Sequence, residues 1–122
     1  MSRNNTLNNS VGISRSGNAF FLTASSRNNI FNKVIGTSIT GTSAITLQLS
    51  SINNVFSNNS FFSNSSTAIF WNSNSSNNTF INNTVGGQTG FEINNSQNVF
   101  VINSTFFGLT NWSVKAYSSN IT

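Results

Sequence analysis

Side chains that could perform acid–base or nucleophilic chemistry are scarce in this chain of 122 residues. Glu92 is the only acid, and the chain contains neither His nor Cys. Acid–base cleavage of a glycosidic bond uses a pair of carboxyl groups, and a Ser or Cys nucleophile needs a base such as His beside it. We therefore predict that the chain is not an enzyme and that it has no catalytic residue.

Metal and cofactor sites are excluded by the same shortage. Zinc and copper are held mainly by Cys and His, and calcium is held by several carboxylates. Glu92 stands between Phe91 and Ile93 in an apolar alternation, so we expect its carboxylate to point outward from a strand as a solvated, structural group. The sequence predicts no metal and no cofactor.

The net charge of +4 reflects the near-absence of acids rather than a basic cluster. Arg3, Arg15 and Arg27 are spread along the chain, and Lys33 and Lys115 stand apart from them. A nucleic-acid interface needs basic residues concentrated on one surface, so we expect no nucleic-acid partner. No apolar run approaches the length of a membrane span, and no signal peptide is visible, so we expect no membrane insertion.

Asn-linked glycosylation is a modification for which the sequence offers many candidate acceptors. Asn-x-Ser/Thr occurs eleven times, a modest excess over what 25 Asn residues give by chance in a chain so rich in Ser and Thr. These residues would be modified only after export to a glycosylating compartment, and an extracellular or cell-surface location is the matching expectation. The possible acceptors are Asn4, Asn8, Asn58, Asn64, Asn74, Asn77, Asn82, Asn94, Asn103, Asn111 and Asn120.

The chain is built from a sequence repeat of roughly 20 to 25 residues, and the strands of this repeat must position the side chains described above. Each turn opens on Asn-Asn or Gln-Asn, followed two residues later by an apolar residue. Further short segments of alternating apolar residues follow, bounded by Asn, Ser or Gly, and alternation at period two indicates strands rather than helices. Asn, Ser and Thr make up 61 of the 122 residues, but the periodic placement of the apolar residues indicates a folded chain.

Stacked turns would place equivalent apolar residues in columns inside the coil, because neighbouring strands lie about 4.8 Å apart. The sequence therefore predicts an all-β fold in one domain over residues 1–122. This fold is a single-stranded right-handed parallel β-helix with about five coils of 20–25 residues, three short strands per coil and no capping helix. The first predicted core column is Leu7, Phe31, Phe56, Phe80 and Phe100, and the second is Leu22, Leu47, Trp71, Ile93 and Val114.

A third column is predicted from the amides at the corners between strands. Asn tolerates the left-handed backbone conformation of such corners, and stacked side-chain amides can hydrogen-bond from one coil to the next. The predicted Asn ladder is Asn5, Asn29, Asn54, Asn78 and Asn98.

The repeated pattern xSxNNxFxxNxI, followed by strands of the type Gly-Ile-x-Leu, resembles the parallel β-helix repeats of the NosD-type and pectin-lyase-like superfamily over essentially the whole chain. The resemblance implies the fold, but this superfamily contains lyases, hydrolases, adhesins, phage tailspikes and surface proteins, so it implies no single function. NosD proteins are associated with copper-enzyme maturation, and the lack of His and Cys argues against that role here. Many positions that hold Asp, Lys or His in relatives hold Ser, Thr or Asn in this chain.

Three non-enzymatic functions are compatible with these features. The chain begins and ends near the same phase of the repeat, so open terminal coils could pair head to tail with further copies of the chain and form a filament. Alternatively, the chain is an excised segment of a larger cell-surface or phage adhesin that contacts carbohydrate. Ice binding is disfavoured because the Thr residues do not recur at one phase of the repeat.

Overall fold

The computed structural model describes residues 2–72, 74–117 and 119–122 as a β-solenoid of about five coils. We number the coils by their opening Asn corner: coil 1 (4–27), coil 2 (28–52), coil 3 (53–76), coil 4 (77–97) and coil 5 (98–119). The strands are β1 Thr6–Asn8, β2 Val11–Ser14, β3 Phe20–Leu22, β4 Ile30–Asn32, β5 Ile35–Ser38, β6 Ile45–Leu47, β7 Val55–Ser57, β8 Ser60–Trp71, β9 Thr79–Ile81, β10 Thr84–Asn94, β11 Phe100–Ile102, β12 Thr105–Gly108 and β13 Val114–Tyr117.

Every strand pair joins equivalent strands of successive coils in parallel. One sheet has the order β1-β4-β7-β9-β11, and another has the order β2-β5-β8-β10-β12. The predicted all-β parallel β-helix is therefore confirmed. Coils 1, 2 and 5 have three strands each, whereas in coils 3 and 4 the second and third strands are joined in β8 and β10. Within the described ranges no helix is long and apolar enough to cross a membrane.

The first core column runs through four coils in register. Leu7, Phe31, Phe56 and Phe80 pair with one another across β1, β4, β7 and β9. The rings of Phe31 and Phe56 stack at 5.0 Å, and those of Phe56 and Phe80 stack at 4.7 Å. Such stacked pairs add about 0.5–1.5 kcal/mol to the area that they bury.

The prediction that Phe100 continues this column was wrong. Val101 pairs with Phe80, whereas Phe100 pairs with Thr79 and is 44% exposed. Residues 99–102 are all apolar, so alternation alone does not show which of them point inward, and a one-residue slip exchanges the two faces.

The second core column is also continuous through four coils and differs in the last. Leu22, Leu47, Trp71 and Ile93 pair in register, and Ala116 takes the fifth position.

The placement of Val114 in this column was therefore wrong, because Val114 pairs with Phe91 in the neighbouring inward row. The loop between β12 and β13 is the cause. Gly87 pairs with Gly108, 21 residues on, but Phe91 pairs with Val114, 23 residues on, so the loop is two residues longer than its counterpart in coil 4.

Four of the five predicted ladder residues form a chain of amides, in which Asn5 is exposed and Asn29, Asn54 and Asn78 are buried. Asn29 Oδ1 accepts hydrogen bonds from the backbone N–H and Nδ2 of Asn5, both at 3.1 Å, and Asn54 Oδ1 accepts the same two from Asn29 at 3.0 Å. Asn78 Oδ1 accepts the corresponding pair from Asn54 at 2.7 and 3.0 Å. The side-chain oxygens of Asn29, Asn54 and Asn78 thus each accept one hydrogen bond from a backbone N–H and one from a side-chain amide of the preceding coil.

Asn98 lies outside this ladder, contrary to the prediction. Its Nδ2 donates to Asn77 Oδ1 at 3.0 Å, and its φ of 54° matches the left-handed corner of Asn77 rather than the ladder position of Asn78. Val99, which is fully buried, occupies the ladder position in coil 5. The same slip that moves Phe100 outward moves Asn98 to the corner row.

A second amide ladder, absent from the sequence prediction, lies at the corner between the first and second strands. Asn59 Oδ1 accepts from the backbone N–H of Val34 at 2.8 Å, and Asn83 Oδ1 accepts from that of Asn59 at 2.9 Å. Ser104 Oγ accepts from the backbone N–H of Asn83 at 3.1 Å. Val34 and Ser104 interrupt the Asn pattern in the sequence, which hides the ladder.

We expect Asn54→Ala to lower the free energy of unfolding by about 3 kcal/mol. The substitution removes the acceptor of two buried donors of Asn29, and each orphaned buried group costs about 1–3 kcal/mol. Urea unfolding followed by the emission of the buried Trp71 measures the change. Asn64→Ala, at an exposed position of β8, should change stability by about 0.5 kcal/mol at most, and an equal loss in both variants would contradict the ladder.

Lys33→Asn should raise the free energy of unfolding by up to about 1 kcal/mol. Lys33 has a φ of 53° at a corner where the other coils have Asn9, Asn58, Asn82 and Asn103, and a left-handed backbone costs Lys more than Asn. The same urea assay measures the gain. Lys33→Ala keeps the backbone cost and should not stabilise the chain, so stabilisation by Ala as large as that by Asn would refute this explanation.

Candidate functional site

The N-terminal end of the solenoid leaves the interior of coil 1 open. Strands β1, β2 and β3 pair with coil 2 on one side, and among the described residues no strand pairs with their other side. A cavity of about 230 Å³ opens there and is lined in part by Leu7, Phe20, Leu22 and Phe31. The apolar columns therefore reach the surface at this end.

The C-terminal end is open over most of coil 5. Strands β12 and β13 pair with β10, and in the described part of the chain nothing covers their outer edges. Phe106 stacks on Phe91 at 5.2 Å and is half-buried because its other face is turned toward the end of the solenoid. Ile121 bridges Val99 in parallel, so residues 119–122 begin a sixth coil at one corner only.

Exposed apolar side chains are concentrated near the two ends. All fourteen large exposed hydrophobic residues of the described chain belong to coils 1, 2 and 5, and none belongs to coils 3 and 4. They are Val11, Ile13, Phe21, Ile30, Ile35, Ile39 and Leu49 in the first two coils, and Phe100, Ile102, Phe107, Leu109, Trp112, Val114 and Tyr117 in the last.

A lateral groove runs along the outer face of the third-strand sheet. It consists of a cavity of about 360 Å³ beside Phe21 and Phe70 and a more polar one of about 640 Å³ beside Gln88 and Lys115. The two cavities share Ser66, Thr67 and Glu92, so they are continuous. The paired outward row Phe21, Thr46, Phe70, Glu92 and Lys115 supplies the floor of the groove.

The charged groups of the groove lie on neighbouring strands. Glu92 points outward between the buried Phe91 and Ile93, and its Oε2 accepts a hydrogen bond of 3.4 Å from Thr67 Oγ1. Lys115 Nζ lies 5.0 Å from the centroid of the Tyr117 ring. A hydrogen bond with Tyr117, and to a lesser extent the charge of Glu92, raise the pKa of Lys115 above its usual value and so reinforce the positive charge that a Lys carries at neutral pH.

The groove offers a polar ligand amides, hydroxyls, the exposed ring of Phe21 and the half-buried ring of Phe70. It contains one carboxylate, and the sequence has no second acid with which Glu92 could form an acid–base pair. The absence of catalysis stays a prediction, and so does the absence of metals and cofactors.

The possible glycosylation sites lie on the outside of the solenoid. Ten of the eleven are exposed, and Asn94 is half-buried. The Nδ2 atoms of Asn58 and Asn82, to which a glycan would be attached, already donate hydrogen bonds, to Asn32 Oδ1 at 3.1 Å and to Asn58 Oδ1 at 3.3 Å. Whether any of them is modified stays a prediction.

Comparison with known proteins identifies the fold and no close relative. No protein-family model matches the chain, and no curated protein matches its sequence. A solved structure of a periplasmic alginate epimerase, AlgG, in a double-mutant form superposes with a TM-score of 0.65 over 92% of this chain, at 14% sequence identity. The match covers 26% of the epimerase chain.

This similarity concerns the fold alone, because so low an identity transfers no site from one protein to the other. It agrees with the resemblance drawn from the repeat pattern and with the parallel pairing of every strand. The chain is thus a right-handed parallel β-helix, a fold that it shares with the superposed part of the alginate epimerase.

Proposed function

We propose that this chain is a non-enzymatic structural β-helix of an extracellular or cell-surface assembly, extended end to end through its terminal coils by further copies of itself. The observation that carries the proposal is the open core at both ends, where Leu7 and Phe20 line a cavity in coil 1 and Phe106 of coil 5 is only half-buried. The described residues of coils 3 and 4 expose no large apolar side chain, whereas coil 2, which also has a coil on each side, exposes outward-facing residues such as Ile30 and Ile35.

The two ends offer complementary backbone edges. In a parallel solenoid, each coil donates and accepts hydrogen bonds along the solenoid axis, as Ile35 N–H does to Ser10 O at 2.9 Å and Thr105 N–H does to Asn83 O at 2.8 Å. Val11 occupies the same phase as these donors, and its N–H faces the open N-terminal end. An open edge of this kind is a template for another strand.

A longer chain would cover the same two faces with its own coils. The alternative proposal, that this chain is a segment of a larger surface protein, therefore uses the same terminal contacts intramolecularly. The self-assembly proposal and the segment proposal both assign a structural role to the ends. They differ in whether the isolated chain associates with further copies of itself in solution.

Sedimentation velocity and negative-stain micrographs of the purified chain test the proposal. We expect a concentration-dependent series of oligomers and rods of uniform width, because head-to-tail contacts do not close. Val11→Pro should abolish the series because it removes the N–H that faces the open end, whereas Val11→Thr, which keeps the N–H, should not. Circular dichroism confirms that both variants fold. A monomer at every concentration, or equal association of the two variants, would contradict the proposal.

A second candidate function is contact with carbohydrate in the lateral groove. It is favoured by the aromatic rings of Phe21 and Phe70, which could lie against sugar rings, and by the amides and hydroxyls that line the same groove. Alginate is a sensible first probe because the structurally similar protein is an alginate epimerase.

Titration of the chain with a panel of soluble polysaccharides, alginate included, tests this second function. Phe21→Ala should weaken binding about tenfold, equivalent to about 1.4 kcal/mol. Phe100→Ala is the matched control, since Phe100 is comparably exposed but lies away from the groove. Equal losses in both variants would show that the groove is not the site, and no binding to any polysaccharide would reject the function.

A further inference from the structure

We infer that two copies meet in one particular register, in which coil 1 of the incoming copy continues the inward and outward rows of coil 5. This inference rests on the proposed end-to-end association and adds the identity of the contacts. The strand pairing inside the chain fixes the rows, because strand residues of coil 5 are connected through four successive pairs to residues of coil 1, as Thr105 is to Val11.

The first inward contacts join β11 and β12 to β1 and β2 of the next copy. Val101 would lie against Leu7, and Phe106 against Gly12. Gly12 has no side chain to oppose the half-buried Phe106 ring. Its place is filled by Phe20, whose ring lies 2.6 Å from where a Cβ of Gly12 would stand. The exposed face of Phe106 would therefore meet the apolar ring of Phe20.

Small residues of coil 5 face large residues of coil 1 in the third strand. Val114 would lie against Phe20, and Ala116 against Leu22. The cavity of about 230 Å³ at the N-terminal end, which Phe20 and Leu22 help to line, is thereby closed. Large and small side chains alternate across the junction, which is how packed layers fill space without voids.

An outward contact at the junction joins Lys115 to Phe21. These residues share the outward row of the third strand, and Phe21 is 53% exposed on coil 1. The Lys115 ammonium, which contacts the Tyr117 ring within its own coil, would then have a second aromatic face from the neighbouring copy. Because every strand pair in the chain is parallel, the same pairing across a junction requires head-to-tail rather than head-to-head contact.

The corner at residues 119–122 is the point where two copies compete for one place. These residues lie at the phase of residues 3–6, held by hydrogen bonds from Thr122 N–H to Val99 O at 2.8 Å and from Val101 N–H to Thr122 O at 2.7 Å. Residues 3–6 of an incoming copy can make the same bonds, as Ile30 N–H does to Asn5 O within the chain. One of the two segments must therefore withdraw when the junction forms.

The size of the contact suits a stable interface. A whole coil contributes about 20 residues from each copy, comparable with the about 20–30 residues a side of standard protein–protein interfaces. Because the chain has no Cys, single engineered cysteines can report the register directly.

Oxidative crosslinking between Val11→Cys and Thr105→Cys tests the register. Both positions are exposed and belong to one row, and the Cα atoms of neighbouring coils lie about 4.8 Å apart, inside the disulfide range of about 4.4–6.8 Å. A mixture of the two single variants should give at least tenfold more disulfide-linked dimer than either variant alone. Ile13→Cys, two residues along the same strand and about 8 Å from the partner, is the mismatched control and should not crosslink with Thr105→Cys.

Truncation after Tyr117 provides the second measurement. Removing the competing corner should raise the crosslink yield at a given protein concentration. Dimers from Val11→Cys alone, or equal crosslinking by Ile13→Cys, would overturn the register while leaving self-association intact. Sedimentation as a monomer would instead reject the proposed function from which the register follows, so the two failures are distinguishable.

Discussion

Each coil of this protein can bury its inward side chains only against the coils before and after it. A coil has about 20 residues and no interior of its own, so the stacking of like on like is the interaction on which every other feature depends. The Phe31, Phe56 and Phe80 rings are buried because they lie on one another, and the groove exists because the outward rows are held in the same register. The core is exposed at the two ends because the terminal coils have a neighbouring coil on one side only.

The polar composition is compatible with a stable core because the buried amides hydrogen-bond to one another from coil to coil. Buried Asn side chains are costly unless both amide atoms are bonded, and stacking supplies a donor and an acceptor from adjacent coils. Asn54, fully buried, accepts from Asn29 and donates to Asn78, so it is satisfied on both sides. A chain that is half Asn, Ser and Thr can therefore bury many of its amides in the core without leaving them unbonded.

The sequence predicted the fold and the middle coils well and failed in coil 5. The Asn corners gave the repeat length, and in coils 1 to 4 the apolar residue after each pair lies where expected. In coil 5 the register depends on the strand pairing and on a loop two residues longer, neither of which a list of motifs contains, so Phe100, Val114 and Asn98 were assigned to the wrong rows. The lateral groove was missed because its residues come from different coils and become neighbours only through stacking.

The direction of the backbone hydrogen bonds has a mechanical consequence. They run along the solenoid axis, from each coil to the next, so tension between the two ends would load the bonds between all successive coils in series. Bending or compression would instead press neighbouring coils together on at least one side and leave most bonds intact. A rod built this way would be stiff under lateral load and weak under stretching, and its first point of failure would be a terminal coil, which is held from one side only.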